Sequence, residues 1–88
     1  MSDPQRDAVL ERITAYDGTE EQFASIVTEA LALFVEPKLT DFKKELGRRL
    51  GRLPPSTIDR YARGTACPGA HVRPAVLDEV RDILASRP

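Results

Sequence analysis

Apolar residues recur every three or four positions along most of this chain, which is the spacing of one face of an α-helix. The first such segment runs from about Pro4 to Tyr16, with apolar side chains at Val9, Leu10 and Ile13. Proline suits the first turn of a helix, because the amide hydrogen that it lacks would have no intrahelical partner there. Over the whole sequence the pattern predicts five helices and no strand, so we expect an all-α bundle in one domain.

The second predicted helix extends from Thr19 to about Glu36 and carries apolar residues beyond a single stripe. Thr19 lies three residues before Gln22, the spacing of a capping box in which each side chain bonds the other residue's backbone amide. The acidic residues at positions 20 and 21 suit the positive end of the helix dipole. Pro37 is expected to end this helix.

A third helix and a stiff connector are predicted next. Thr40 is a residue type that caps helices, so the third helix is expected to begin at Asp41. Apolar residues repeat every four positions inside it, and Gly51 is expected to end it. The connector that follows contains Leu53-Pro54-Pro55, in which each proline restricts the residue before it.

Two further helices complete the prediction. A short fourth helix is expected to begin near Ser56, which could cap it together with Asp59, and to end at Gly64. A loop from Thr65 to Arg73 follows. Pro74 is then expected to open the last helix, whose buried stripe consists of Val76, Leu77, Val80, Ile83 and Leu84.

Charge is distributed unevenly along the chain, although the net charge is only −1. Residues 1–37 carry two basic and eight acidic side chains, a net charge of −6. Residues 38–74 carry nine basic and three acidic side chains, a net charge of +6, and residues 75–88 add −1. A basic segment of this kind can bind a polyanion, because each neutralised phosphate releases counterions.

Other residue types narrow the range of functions. Cys67 is the single cysteine, so no disulfide can form within the chain, and we expect a reducing, cytoplasmic location. No apolar run is long enough to cross a bilayer, and no secretory signal is recognised. His71 is the single histidine and has no metal-binding spacing around it. We therefore expect no metal, no cofactor and no enzymatic activity.

Residues 42–64 are predicted to form a helix, a tight turn and a short second helix that a glycine ends, the order of a helix-turn-helix. The inward positions of such a motif are filled by Leu46, Leu50, Leu53, Ile58 and Tyr61. The stretch LGRRLGRLPPSTIDRYARGTACP, residues 46–68, resembles the Cro/repressor (XRE-type) helix-turn-helix family. The likeness lies in residues 50–51, in residues 56–61, and in Gly64 followed by Pro68. It implies a compact bundle of about five helices that commonly binds operator DNA as a dimer.

The chain departs from the family pattern in two places. Where the family usually has alanine in the first motif helix, this chain has Gly47, which costs the helix about 1 kcal/mol relative to alanine. The connector between Gly51 and Ile58 is also one residue longer than usual and contains two prolines. Both departures lie where the second helix would dock on the first.

The resemblance also implies roles for individual residues. Ser56 and Arg60, with Pro55 beside them, fall on the base-reading positions, and Thr57 falls on a phosphate-contacting position. An arginine such as Arg60 can donate two hydrogen bonds to guanine. The further candidates for phosphate contacts are Lys43, Lys44, Arg48, Arg52 and Arg63. Glu45 lies three and four residues before two arginines, so ordinary helical ion pairs are an alternative role for Arg48 and Arg49.

We therefore predict a small sequence-specific DNA-binding regulator that acts as a dimer and represses transcription by occluding a promoter. An alternative prediction is a helix-turn-helix-derived module that binds a protein instead, such as an antitoxin or an antiactivator. The isoelectric point of about 5.8 and the acidic first third of the chain suit that alternative. Its partner or dimer surface would include Leu33, Phe34 and Val35, which widen the apolar belt of the second helix.

Overall fold

A computed structural model describes residues 3–86 and confirms the all-α fold. The described residues form five helices and no strand. These helices are α1 (Pro4–Thr14), α2 (Glu20–Leu31), α3 (Lys38–Arg49), α4 (Pro55–Arg63) and α5 (Val72–Ala85). No helix within the described range is both long and apolar enough to span a bilayer.

Short polar side chains start α1 and α2, as their sequences indicate. The Asp3 carboxylate accepts hydrogen bonds from the backbone amides of Gln5 and Arg6, at 3.0 and 3.2 Å. Thr19 caps α2 by accepting from the Gln22 amide at 3.2 Å, which confirms the predicted cap. Gln22 completes the turn differently from a capping box, because its side-chain oxygen accepts from the Asp17 amide instead of the Thr19 amide. The side chains of Thr19 and Gln22 thus both accept hydrogen bonds from backbone amides, one at the start of α2 and one in the turn before it.

The predicted end of α2 is wrong by five residues, because the helix stops at Leu31 and not near Glu36. The next residues form tight turns, with the amide of Leu33 bonded to Ala30 and that of Phe34 to Leu31. This bend lets the Phe34 ring stack on Phe42 of α3, with ring centroids 4.5 Å apart. A tertiary contact thereby overrides the helical periodicity.

The predicted cap of α3 is also wrong. The helix begins at Lys38, so Thr40 lies inside its first turn. The Thr40 hydroxyl and amide both donate to the Glu36 carboxylate, at 2.6 and 2.9 Å. These two bonds hold the pKa of Glu36 below its ordinary value. The Glu36 carboxylate therefore accepts a hydrogen bond from a backbone amide in the first turn of α3. Thr40 was expected to fill this capping role.

The last two helices also begin earlier than predicted. In α4, Pro54 is the cap and Pro55 the first residue, so neither Ser56 nor Asp59 caps the helix. Gly64 ends α4 with φ of 76°, a left-handed conformation that glycine adopts without strain, as expected. In α5, Val72 is the first residue, two positions before Pro74.

The core surrounds α2, which contacts each of the other four helices. Phe23 of α2 meets Tyr61 of α4 edge to face, with centroids 5.8 Å apart. The Thr28 hydroxyl on α2 donates to the Ala62 carbonyl on α4 at 2.8 Å. The fully buried large side chains are Phe23, Phe42, Ile26, Leu46, Ile58, Leu77, Leu84, Val27, Val76 and Val80. Helix α4 is therefore fixed to the core along one side, and its other side faces solvent.

Candidate nucleic-acid interface

The solvent-facing side of α4 presents one hydroxyl and two guanidinium groups. Ser56, Arg60 and Arg63 are separated by four and three positions, so they share one helix face, and all three are exposed. The opposite face holds Ile58, which is fully buried, and Tyr61, which packs against the core. The apolar residues fix one side of α4 to the core, and the polar residues lie on the other side. We call this polar row, Ser56, Arg60 and Arg63, the α4 outer face.

The connector between α3 and α4 packs directly on Gly47. The Leu53 amide donates to the Gly47 carbonyl at 2.9 Å, and the Leu50 amide donates to the same carbonyl at 3.2 Å. A side-chain carbon on residue 47 would overlap the Leu53 carbonyl oxygen and lie 3.2 Å from its carbon. Glycine is therefore required here. The connector approaches α3 closely because residue 47 has no side chain.

The connector also turns through two consecutive left-handed residues. Gly51 has φ of 92° and Arg52 has φ of 69°. A non-glycine residue in this region is strained by roughly 1–2 kcal/mol. This turn leaves the Arg52 side chain exposed between the two helices.

Four of the nine basic residues in the 38–74 segment are engaged within the protein. Lys43 pairs with Asp59 across α3 and α4, with its Nζ atom 3.1 and 3.4 Å from the two carboxylate oxygens. Arg48 donates two hydrogen bonds to Glu45, at 2.9 and 2.5 Å. Arg49 contacts the same carboxylate at 2.9 Å, so the helical ion pairs given above as the alternative are present.

Arg49 extends this network to the last helix. Its guanidinium lies 3.3 Å from the Glu79 carboxylate and 3.6 Å from that of Asp82, both on α5. The hydrogen bonds from Arg48 and Arg49 lower the pKa of Glu45 to about 2. Glu45 therefore stays ionised far below neutral pH, and Arg49 ties α3 to α5.

Arg73 is the fourth engaged cation and joins three separate parts of the chain. Its guanidinium donates to the Tyr16 hydroxyl at 3.1 Å, to the Gly18 carbonyl at 3.1 Å and to the Pro68 carbonyl at 3.0 Å. The Sγ atom of Cys67 lies 3.6 Å from the same group. The hydrogen bond that the guanidinium donates to this sulfur is the main reason why the pKa of Arg73 is raised. Arg73 is therefore structural, and only 11% of its side chain is exposed.

The other five basic residues of this segment have no hydrogen bond or ion pair from their side chains within residues 3–86. All of them are exposed. They are Lys38, Lys44, Arg52, Arg60 and Arg63. We call them the unpaired cations. They lie on α3, the connector and α4, the segments that the sequence predicted as the basic motif.

The predicted DNA-contacting residues differ in their exposure and in whether they are already paired within the protein. Arg60 and Ser56 lie on the α4 outer face, whereas Pro55 and Thr57 are half-buried at the start of α4. The Thr57 amide already donates to the Pro54 carbonyl at 2.9 Å. Among the predicted phosphate contacts, Lys44, Arg52 and Arg63 are unpaired, and Lys43 and Arg48 are engaged. Lys38 also belongs to the unpaired cations, but it was not among the predicted contacts, because α3 was expected to begin only at Asp41.

The three residues predicted for a partner surface lie after α2 and differ in exposure. Leu33 and Phe34 are half-buried and pack against the core, whereas Val35 is 77% exposed. Leu33 separates two surface hollows of about 300 and 260 Å³. Val35 and Lys38 line the larger hollow. Of the predicted set, Val35 is thus the residue that a partner could reach most easily.

No metal-binding cluster of three or more His, Cys, Asp or Glu side chains occurs in the described part of the chain. Cys67 and His71 are both exposed in or next to the α4–α5 loop. Comparisons with protein-family models, with curated proteins and with solved structures gave no match. The interpretation of the α4 outer face therefore depends on its own geometry and charge.

Proposed function

We propose that this protein binds double-stranded DNA through α3, the connector and α4, with the α4 outer face in the major groove. The observation that carries the proposal is the division of the nine basic residues into engaged and unpaired sets. Unpaired, exposed cations are the groups that can neutralise phosphates without first breaking an internal ion pair. Because all five lie on α3, the connector and α4, the positive charge that no internal carboxylate neutralises is concentrated in these three consecutive segments.

Each residue of the α4 outer face has a chemical role in this proposal. Arg60 would donate two hydrogen bonds to the O6 and N7 atoms of a guanine, and Ser56 would donate to or accept from a neighbouring base. Arg63 would contact phosphate, together with Lys38, Lys44 and Arg52. Four phosphate contacts per bound copy predict a slope of about −3.6 per copy for log affinity against log salt. Thr57 and Pro55 would approach the DNA backbone at the start of α4.

The test measures binding of the purified protein to a labelled duplex carrying its own upstream region, against a scrambled duplex. Affinities are determined between about 50 and 200 mM salt. We expect the salt slope given above and a margin of at least ~10³ in favour of the specific duplex. Arg60→Ala should abolish most of that margin while largely keeping the slope. Arg81→Ala is the matched control, because Arg81 pairs with Asp78 on α5.

Absence of binding at the lowest salt would contradict the proposal, and so would an Arg60→Ala variant with an unchanged margin. We further propose that the protein binds as a homodimer, as the resemblance implies, so that two copies of α4 read two half-sites. Repression by occlusion of a promoter is the proposed outcome of that binding.

A second candidate function is binding of a protein partner by the segment after α2. It is favoured by Val35, an exposed apolar residue at the edge of a hollow of about 300 Å³. Val35→Glu should then abolish association with the partner or with a second copy, as measured by analytical ultracentrifugation. Val72→Glu is the matched control, since Val72 is the other large exposed apolar residue of the described chain, at 48%. If Val35→Glu and Val72→Glu associate to the same extent, this candidate function is wrong.

A further inference from the structure

The pair between Lys43 and Asp59 lies at the edge of the α4 outer face. Asp59 is four residues before Arg63 and three after Ser56, so its carboxylate adjoins the row that would face DNA. The side chain of Lys43 is only 13% exposed, whereas that of Asp59 is 39% exposed. The cation is therefore the more deeply buried partner of the pair, and its charge is already engaged by the acid.

Asp59 has a second cation within its reach. An aspartate four residues before an arginine is in the favourable order for a helical ion pair, which describes Asp59 and Arg63. The structure instead pairs Asp59 with Lys43 across the two helices and leaves Arg63 without a partner in the described residues. Lys43 and Arg63 thus compete for the same carboxylate, and Lys43 holds it.

We infer that Lys43 is a positioning residue for DNA binding: it holds Asp59 so that Arg63 remains available to a phosphate. This inference depends on the proposed function and changes the role predicted for Lys43 from a phosphate contact to an indirect one. It also gives Asp59 a role that capping does not explain. An unpaired Asp59 would both repel phosphate and capture Arg63.

The experiment uses five variants of the full chain: Lys43→Met, Asp59→Asn, Lys44→Met, and the two double variants that combine Asp59→Asn with each lysine substitution. Methionine removes the charge and keeps most of the apolar stem. For each bound copy, we expect Lys43→Met to weaken binding about eightfold at 0.1 M salt and to reduce the magnitude of the salt slope by about 0.9, the effect of one lost phosphate contact. In the Asp59→Asn background, the same substitution should change neither affinity nor slope. Circular dichroism verifies that each variant is folded.

Lys44→Met is the matched control, because Lys44 is an exposed lysine on the same helix without an internal partner in residues 3–86. Lys44→Met should reduce the affinity for DNA by the same factor in the wild-type background and in the Asp59→Asn background. If Lys43→Met still lowers the affinity and the salt slope by the amount of one phosphate contact in the Asp59→Asn background, Lys43 contacts DNA directly and the inference is wrong. If Lys43→Met leaves wild-type binding unchanged, the inference is also wrong, while the proposed function stands. If the wild-type protein does not bind DNA, both are wrong.

Discussion

Replacing Gly47 by alanine should destabilise this protein, although the same change in an ordinary helix is favourable. Alanine in a helix interior is worth about 1 kcal/mol over glycine. At this position, however, the added carbon would overlap the Leu53 carbonyl oxygen, and the connector would have to move away from α3. The movement would break the hydrogen bond from the Leu53 amide to the Gly47 carbonyl, now 2.9 Å long.

The expected change in the free energy of unfolding is the sum of three contributions. Overpacking a tight contact costs roughly 1–3 kcal/mol, and loss of the backbone hydrogen bond adds about 1 kcal/mol. The gain in helix propensity offsets about 1 kcal/mol. The net loss in the free energy of unfolding is therefore about 2 kcal/mol, which corresponds to a fall in Tm of roughly 10 °C for a domain of this size.

Thermal and urea unfolding followed by circular dichroism measure this loss. Gly69→Ala is the matched control, because a side-chain carbon there meets no atom within 4 Å and the backbone is not left-handed. It should leave the stability unchanged or raise it by up to about 1 kcal/mol. A Gly47→Ala variant as stable as Gly69→Ala would refute the argument that the connector requires glycine.

Three further predictions concern the same region and its supports. Arg52→Gly should raise stability by up to about 1 kcal/mol in urea unfolding, because it removes a strained left-handed residue, and should also reduce the salt slope of DNA binding by about 0.9. Arg73→Lys should lower Tm by about 5 °C in a thermal scan, since an ammonium group cannot span the Tyr16 hydroxyl and two loop carbonyls together. The folded-state pKa of Glu45 lies below its ordinary value of 4.5, so its ion pairs stabilise the fold above that pH, and this stability is lost as pH falls toward about 2. Glu45→Gln should therefore show a smaller loss of stability between pH 5 and pH 2 in urea unfolding.

Local signals in the sequence predicted the number of helices and some of their ends. Thr19 caps α2 through a bond to a residue only three positions away, and Gly64 ends α4 through its own backbone conformation. The apolar stripe of α5 is buried as its periodicity predicts, from Val76 to Leu84. Features of this kind depend on neighbours within one or two turns, which is why a single sequence suffices for them.

The features that sequence analysis missed depend on contacts between distant residues. The early end of α2 follows from the stacking of Phe34 on Phe42, which becomes possible only when the chain bends. The pairing of Asp59 with Lys43 joins residues 16 positions apart and displaces the capping role expected of the acid. Gly47 was interpreted as a weakness of α3, because its contact with Leu53 is visible only after the connector has folded back.

The candidate site was predictable in location but not in composition. The basic segment was recognised from residue types alone, whereas the distinction between engaged and unpaired cations needed coordinates. Arg48 and Arg63, for example, are both basic residues of the predicted motif. One is bonded to Glu45 and the other has no partner within the described chain. That distinction determines which residues are proposed to contact phosphate.

Mapping of amide chemical shifts tests most directly whether the α4 outer face binds DNA. Spectra of ¹⁵N-labelled protein are recorded at low salt while a DNA duplex is added. The account predicts that the largest shifts occur at Ser56, Arg60 and Arg63 and in the connector, with little change in α1. Shifts concentrated around Val35 and α1, or no shifts at all, would contradict the account.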